Sequence, residues 1–583
     1  MNLLGISMDS NSSAAYMMNN EIVSAVSEER YNKIKNYAGY PKKSVEYCSS
    51  VVKPDKILFS TINAPPLMVL AHKPRRTVDE KIDEMERYWL RKLYMEEKVK
   101  YHEIFPEKID YEQYPGRKFW EEIDLNSDEC VEKYREMRKR IVSEHLDFPL
   151  NDIDFIEHHL AHSMYAYYAS PFRDVPVLSF TADGWGDYGN ASLRLFTPNG
   201  HVEKLMETSQ MTLGRLYRFI TLILNMKPWE HEYKVMGLAP YSVKYHWEKP
   251  YKIFKELLEV DGMNIRLKDK PRDYYFYFKE RLKGCRFDGI AGGIQRYAEE
   301  ILVKWVSNAI NETGVDHVVF SGGVAMNCKA MMEISKIHKL KKIFVPPSGS
   351  DESLAIGVCY AKAHEMEIKN IKPLKTIYLG PDYHSFELSQ RLKNKYKYMH
   401  IGLNPRKIAF EILKGKIISL HHGRMEFGAR ALGNRSIIAD PRKVEIVKKI
   451  NRKIKKRDFW MPFCPSILHE RVNDYLLNPK GLESPFMTMA FETTKEAQKD
   501  IIATLHPADY TCRPQIIKKE ENPFFYSIIK SFEHYTGVGA LLNTSFNLHG
   551  YPIVNTPEDA LHVFEQSKID SLFLGDNLFT KEH

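Results

Sequence analysis

The chain opens on short apolar runs separated by small polar residues. "NLLGIS", "SAAYMM" and "EIVSAVSEERY" predict three strands, with "NNE" as the turn between the last two. Gly5 and the stretch "SMDSNSS" suit a tight connection able to turn backbone N–H groups toward an anion. Over residues 75–145 the strand pattern is lost. "DEKIDEMERYWLRKLYMEEKVKYHEIF" is dense in charge and aromatics and predicts a helical, partly exposed insertion rather than core. From residue 153 the pattern changes again. "IDFIEHHLAHSMYAYYAS" predicts an amphipathic helix and "VPVLSFTADGWGD" a buried strand running into a Gly/Asp turn. "DHVVFSGGVAMN" and "KKIFVPPSGSDES" predict two more strands with turns behind them. Strands that end in glycine-rich turns before helices predict an α/β fold with ligands at the strand C-termini. "EMEIKNIKPLK", at 365–375, is polar and contains a proline, which places a linker there and a second α/β region after it. No internal repeat and no low-complexity tract stands out.

Composition changes this picture little. A length of 583 residues allows two to four domains, and 43% hydrophobic with 27% charged residues describes an ordinary soluble protein. A net charge of +8 fits phosphorylated small substrates as well as a polyanion. "MNLLGISMDS" has no basic stretch before an apolar core, so no signal peptide is expected, and no run approaches the length of a membrane span. Seven scattered cysteines contain no CxxC pair, which argues against zinc ribbons and a disulfide framework. The expectation is a reducing, cytoplasmic setting without a membrane partner.

The candidate chemistry sharpens it. In "HHLAH", His158 and His162 are four apart and share one helical face, while His159 points about 100° away. Two imidazoles on one metal need a further ligand, and an oxygen donor favours iron, manganese or zinc. Asp183 and Asp187 in "DGWGD" and Asp351 in "SGSDES" are the candidates; histidines bonded only to neighbouring backbone are the plain alternative. "FSGGVAMN" sets Gly322 and Gly323 directly after a strand, where backbone can approach a phosphate, and "EYKVMGLAPY" sets Lys234 beside a glycine turn. "HGRMEFGARALGNRS" carries Arg424, Arg430 and Arg435 among glycines. At those spacings no helix brings them together, only a folded loop, and forked guanidinium donors suit phosphate and carboxylate. The cationic run "DPRKVEIVKKINRKIKKRDFWMPFCPSIL" precedes "TCRPQII", with Arg513 and Gln515. "LLNTSFNLHGYPIVNTPEDA" follows a strand with Asn543, Thr544, Ser545 and Asn547, short polar groups that hydrogen-bond to phosphate and sugar. An Asx-type turn is the plain alternative there.

Together these stretches resemble, in order and nearly end to end, the O-carbamoyltransferases of the nodulation protein U and tobramycin carbamoyltransferase type. The arginine loop and "NTSFN" are the specific signals. The resemblance implies an N-terminal domain over 1–365 like the tRNA-threonylcarbamoylation ATPase of the actin/hexokinase superfamily, carrying an insertion at about 65–150. A threonylcarbamoyl-AMP synthase-like α/β domain over 376–583 follows. A hydrogenase-maturation relative with the domains reversed and zinc-finger modules is excluded by the absence of CxxC. The implied reaction makes carbamoyl adenylate from carbamoyl phosphate and ATP with Mg²⁺ in the C-terminal domain. The carbamoyl group then passes to an acceptor hydroxyl at a metal-associated N-terminal site, with Fe²⁺ first and Mn²⁺ or Zn²⁺ next.

Carried over by residue, Arg424, Arg430, Arg435, Arg513 and Gln515 would hold the phosphates and carbamoyl group, with Asn543 and Ser545 lining the same pocket. His158, His162 and Asp351 would hold the metal with Asp183 nearby, and Gly322, Gly323 and Asn327 would contact nucleotide. The chain departs from the family where a His-Asp pair is replaced by Asn11 and Ser12, which bears on how the acceptor hydroxyl loses its proton; Asp9 is a substitute carboxylate. Met461 stands where an arginine often sits, and Tyr551 replaces a glutamate. Adenylation or hydrolysis without transfer is the second reading. A basic nucleic-acid-binding protein on the same scaffold is the third, disfavoured because the anion-binding residues are all present. A homodimer stays open.

Overall fold

In the computed structural model, residues 1–8, 10–64, 77–105 and 129–581 are described. Asp9 and the segments 65–76 and 106–128 of the expected insertion lie outside them. The chain divides into two compact units, one made of residues 1–29 and 36–374 and the other of 30–35 and 375–583. Among the described residues no helix is long and apolar enough to cross a membrane.

The first unit is mixed α/β and built around two five-stranded sheets. One has the order β3-β2-β1-β4-β5, from Leu3–Ser7 (β1), Ser13–Met18 (β2), Glu21–Ser27 (β3), Lys56–Ser60 (β4) and Ile153–Ile156 (β5). The other reads β8-β7-β6-β11-β12, from Val177–Ala182 (β6), Ala191–Phe196 (β7), Val202–Thr208 (β8), His317–Ser321 (β11) and Lys342–Phe344 (β12). A small hairpin, Leu258–Asp261 (β9) with Asn264–Leu267 (β10), stands apart. In both sheets the first three strands form an antiparallel meander, and the last two run parallel to the first strand. The unit is therefore a duplicated fold of the actin/hexokinase kind, although its sequence shows no repeat.

Between the sheets lie two helices. His158–Ala169, the histidine helix, packs on β6, β7 and β11 of the second sheet, and Leu354–Glu365, the crossing helix, packs on β1, β2 and β4 of the first. The helix that closes each half thus covers the sheet of the other half. Their approach is close. A Cβ on Gly357 would stand 2.2 Å from the Ala161 carbonyl oxygen, and one on Gly5 would stand 1.9 Å from that of Ala355. Only glycine allows backbone that near.

The single helix expected over residues 153–170 is in fact a strand, Ile153–Ile156, followed by a helix that starts at His158. Glu157 marks the break. Its carboxylate accepts the N–H groups of His159 at 2.7 Å and Leu160 at 2.6 Å, an N-cap arrangement. Nor is the helix amphipathic: ten of its twelve residues are buried, because helix and sheet cover it on opposite sides. The described parts of the insertion are helical. Met85 packs with Leu222 and Tyr275, and the Lys81 ammonium sits 4.5 Å over the Trp229 ring. Helix Cys130–Leu146 follows, with Arg138 fully buried. The expected glycine turn near Lys234 is a helix instead, Glu232–Leu238, in which both Lys234 and Gly237 are buried.

The second unit is α/β around one mixed sheet, ordered β13-β20-β19-β14-β15-β18-β16-β17. Its strands are Lys397–His400 (β13), Ile418–His421 (β14), Arg435–Ala439 (β15), Cys464–Leu468 (β16), Gln515–Ile517 (β17), Ala540–Ser545 (β18), Ser571–Leu574 (β19) and Asn577–Thr580 (β20). A core including Ile437, Leu542, Phe546, Phe564 and Leu572 fills one face. The arginine loop joins β14 to its antiparallel neighbour β15.

Candidate functional site

Each unit contains a polar site of its own. In the first, His158 and His162 lie one turn apart, and each ring is held at Nδ1 by a hydroxyl: Thr61 Oγ1 at 3.1 Å for His158 and Ser321 Oγ at 3.3 Å for His162. Both Nε2 atoms are buried and have no hydrogen-bond partner among the described residues. They face two carboxylates. His162 Nε2 is 3.6 Å from Asp183 Oδ2 and 3.7 Å from Asp351 Oδ1, and His158 Nε2 is 4.0 Å from the same Asp351 oxygen. Ligand atoms each about 2.1 Å from one ion stand at most about 4.2 Å apart. All three separations fall within that limit. Burial, reinforced by the neighbouring imidazoles, pushes both histidines well below their usual pKa, so they are neutral and their Nε2 lone pairs are available to a cation. Two imidazoles and two carboxylates fit a divalent transition ion, and nitrogen with oxygen donors suits Fe²⁺, Mn²⁺ or Zn²⁺.

The surroundings sort the other candidates. Asp183 is aimed by two backbone donors, Gly184 N–H and Gly323 N–H, each at 2.6 Å. Asp187, an alternative third ligand, has its carboxylate elsewhere: Oδ1 accepts Asn63 N–H at 2.7 Å and Oδ2 accepts His158 N–H at 2.8 Å. It holds the start of the histidine helix. Gly322, at φ 90°, is required by packing, since a Cβ there would meet the Ala182 carbonyl oxygen at 2.3 Å. Asn327 caps the helix Cys328–Ser335 and pairs reciprocally with Gln295 at 2.9 and 3.0 Å. Asn11, in the left-handed region at φ 59°, donates from Nδ2 to Glu352 Oε2 at 3.1 Å, in the turn that carries Asp351. Its buried Oδ1 has no hydrogen-bond partner among the described residues.

In the second unit the arginine loop is folded around Glu426, whose Oε1 accepts the N–H groups of Leu432, Asn434 and Arg435 at 2.7, 3.2 and 3.2 Å. The three arginines are not equivalent. Arg424 donates to the carbonyls of Leu379 at 2.7 Å and Gly380 at 3.1 Å. Arg435 is fully buried and donates through Nη1 to the carbonyls of His422, Gly423 and Asn434, each at 3.1 Å. Its Nη2 has no partner among the described residues, and burial brings its pKa down to about 10, leaving it charged at neutral pH. Arg430 is half-buried.

Asn543, Gln515 and Ser466 form a buried hydrogen-bonded trio across β18, β17 and β16, with contacts of 2.7 to 3.2 Å. It is tied to the arginine loop through the Ala431 and Leu432 carbonyls. Arg513 reaches Cys464 Sγ at 3.2 Å, and Thr544 pairs with Ile437 in the sheet. Sequence reasoning missed Lys455. This buried lysine donates to Ser545 Oγ at 3.1 Å and Asn547 Oδ1 at 2.7 Å, and also to the carbonyls of Ser545 and Asn547. Burial, then the nearby Arg457 and Lys35, pushes its pKa well below the ordinary lysine value. Its only signal was membership of the cationic run, where eight other basic residues look the same.

The family model described as carbamoyltransferase N-terminus covers residues 2–360, and the one described as carbamoyltransferase C-terminus covers 409–581. An uncharacterized protein of Methanocaldococcus jannaschii is 32% identical over 99% of each chain. Nodulation protein NolNO of Sinorhizobium fredii is 28% identical over 97% of this chain and 78% of its own. Among solved structures, full-length HypF in a phosphate- and nucleotide-bound form aligns over 64% of this chain and 56% of its own, at 10% identity and a TM-score of 0.35.

Proposed function

The chain belongs to the carbamoyltransferase family, and from that footing we propose that it is an ATP-dependent O-carbamoyltransferase acting on a hydroxyl of a small molecule or glycan. One observation carries the reading: each unit holds a preformed polar site, and the two differ in charge type. The second unit offers buried cations and amides, Lys455, Arg435, Asn543 and Gln515, suited to MgATP and carbamoyl phosphate. There, water cleaves carbamoyl phosphate to carbamate and inorganic phosphate, and the carbamate oxygen attacks the α-phosphate of ATP and expels pyrophosphate. Fixed cationic donors lower the cost of the charge that builds up on the phosphoryl oxygens. In this reading Arg430, half-buried in the arginine loop, is a phosphate-binding cation.

In the first unit the acceptor hydroxyl attacks the carbamoyl carbon, AMP leaves, and the hydroxyl proton passes to solvent. A divalent ion held by His158, His162, Asp183 and Asp351 would polarise the carbamoyl carbonyl. Asn11 can accept a hydrogen bond from the acceptor hydroxyl through Oδ1 but cannot take its proton, so it orients rather than deprotonates. That limit also supports the second reading, in which carbamoyl adenylate is made and hydrolysed without transfer. In this reading Gly323 aims Asp183 through its N–H and Asn327 caps the helix that follows.

A single-turnover assay tests the reading: full-length protein, labelled carbamoyl phosphate, ATP and Mg²⁺, with no acceptor. Pyrophosphate and carbamoyl-AMP should form, and Arg430→Ala should slow their formation at least about 100-fold. Absence of any nucleotide turnover would remove the carbamoyltransferase reading.

A further inference from the structure

The two halves of the first unit can be compared position by position, because their sheets share one topology. The strand that lies parallel beside the first strand is β4 in one half and β11 in the other. The residue directly after it is Thr61 in the first half and Gly322 in the second, and both take a positive φ, 64° and 90°. The fold thus asks for a left-handed residue at this point. Glycine meets the demand freely, whereas a β-branched residue is strained there. The first half keeps a threonine there all the same.

What the threonine touches gives the reason. Its Oγ1 is 3.1 Å from His158 Nδ1, on the far side of the ring from the orphan Nε2. Its backbone is anchored from two directions: its N–H donates to the Ile156 carbonyl at 3.0 Å, and its carbonyl accepts from Arg138 Nη1 at 2.8 Å. Arg138, fully buried on the insertion helix, also donates to the carbonyls of Ser60 and Ile62. We infer that Thr61 is a positioning residue for a divalent-metal centre. Held in a strained conformation by the insertion helix, it fixes the tautomer and ring plane of His158. A neutral ring whose Nδ1–H donates to Thr61 presents its Nε2 lone pair to the cation, and outer hydrogen bonds of this kind typically govern 10–100-fold of metal affinity. The inference rests on the metal reading of the His158 cluster, and it gives the helix of the insertion a task.

Titration of metal-free full-length protein with Mn²⁺, followed by loss of the free-ion electron paramagnetic resonance signal, tests it. Thr61→Val keeps the side-chain shape and removes the hydroxyl; it should weaken Mn²⁺ binding 10–100-fold. Thr61→Ser should bind within about threefold of wild type. Thr61→Gly should bind as weakly as Thr61→Val while its metal-free melting temperature does not fall, a pairing that a merely structural role would not give. Wild-type affinity in Thr61→Val overturns the inference while leaving the metal site standing. Wild-type protein that binds no Mn²⁺, or His162→Ala that binds it equally well, removes the centre itself and this inference with it.

Discussion

At the scale of single residues, burial separates structural from chemical cations. Arg424 is tied to the Leu379 and Gly380 carbonyls and Arg435 to carbonyls of its own loop, whereas Lys455 reaches the Ser545 and Asn547 side chains. A buried ammonium serving only structure is a poor stabiliser, because desolvation offsets most of its attraction. Lys455→Met is therefore expected to leave the melting temperature unchanged or raised, yet to cut single-turnover adenylate formation at least about 100-fold. Lys455→Arg should not restore it, since a planar fork cannot meet the four oxygens of Ser545 and Asn547 now grouped around one nitrogen. A melting loss without an adenylation loss would sink the assignment. The sequence shows such roles unevenly. His158 and His162 are legible because a spacing of four fixes a shared helical face. Thr61, Ser321 and Lys455 are not, because what marks them is a contact across a long stretch of chain.

At the scale of elements, the site depends on how closely two helices approach. The histidine helix and the crossing helix meet where Gly357 faces Ala161, next to His162, and Asp351 lies three residues before the crossing helix. Gly357→Ala would drive a methyl into backbone at 2.2 Å, and the helices must part. The expected cost is roughly 1–3 kcal/mol, read as a lower urea midpoint at unchanged slope, together with weaker Mn²⁺ binding. Unaltered metal binding would show that the four ligands do not need this contact. Among the described strands, β1–β3, β6, β11, β12 and β18 were legible as short apolar runs. The stretch 153–157 was not, since "IDFIE" carries an apolar spacing that suits strand or helix alike and only the Glu157 cap decides it. The histidine helix also looked amphipathic, whereas its surroundings on both sides come from segments far along the chain.

At the scale of the whole molecule, the first unit buries three imidazoles close together, and all three are held below their ordinary pKa by desolvation. His159, bonded to Thr181 Oγ1 at 2.9 Å and the Gly189 carbonyl at 3.0 Å, is brought down to about 4. The folded state refuses a proton that the unfolded chain accepts below about pH 6.5, so this stability is complete above that pH and drains away as pH falls toward 4. For His159 alone the loss reaches up to roughly 3 kcal/mol. Calorimetry of metal-free protein should show a melting temperature that drops from pH 7 to pH 5, and His159→Gln should flatten the slope. A pH-independent melt would contradict the buried, neutral assignment. The α/β class was legible from strand–turn–helix order, but the duplication was not: the halves share only topology, and even the position that both hold at positive φ is filled by different residues, Thr61 and Gly322. The exchange of helices between those halves also sets a timetable for biosynthesis. The sheet of β1–β5 emerges from the ribosome long before Leu354–Glu365, the helix that covers it, and the histidines precede Asp351 by nearly two hundred residues. The newborn first half must wait with its apolar face uncovered, and the cluster of His158, His162, Asp183 and Asp351 is closed only when the last segment of the unit arrives.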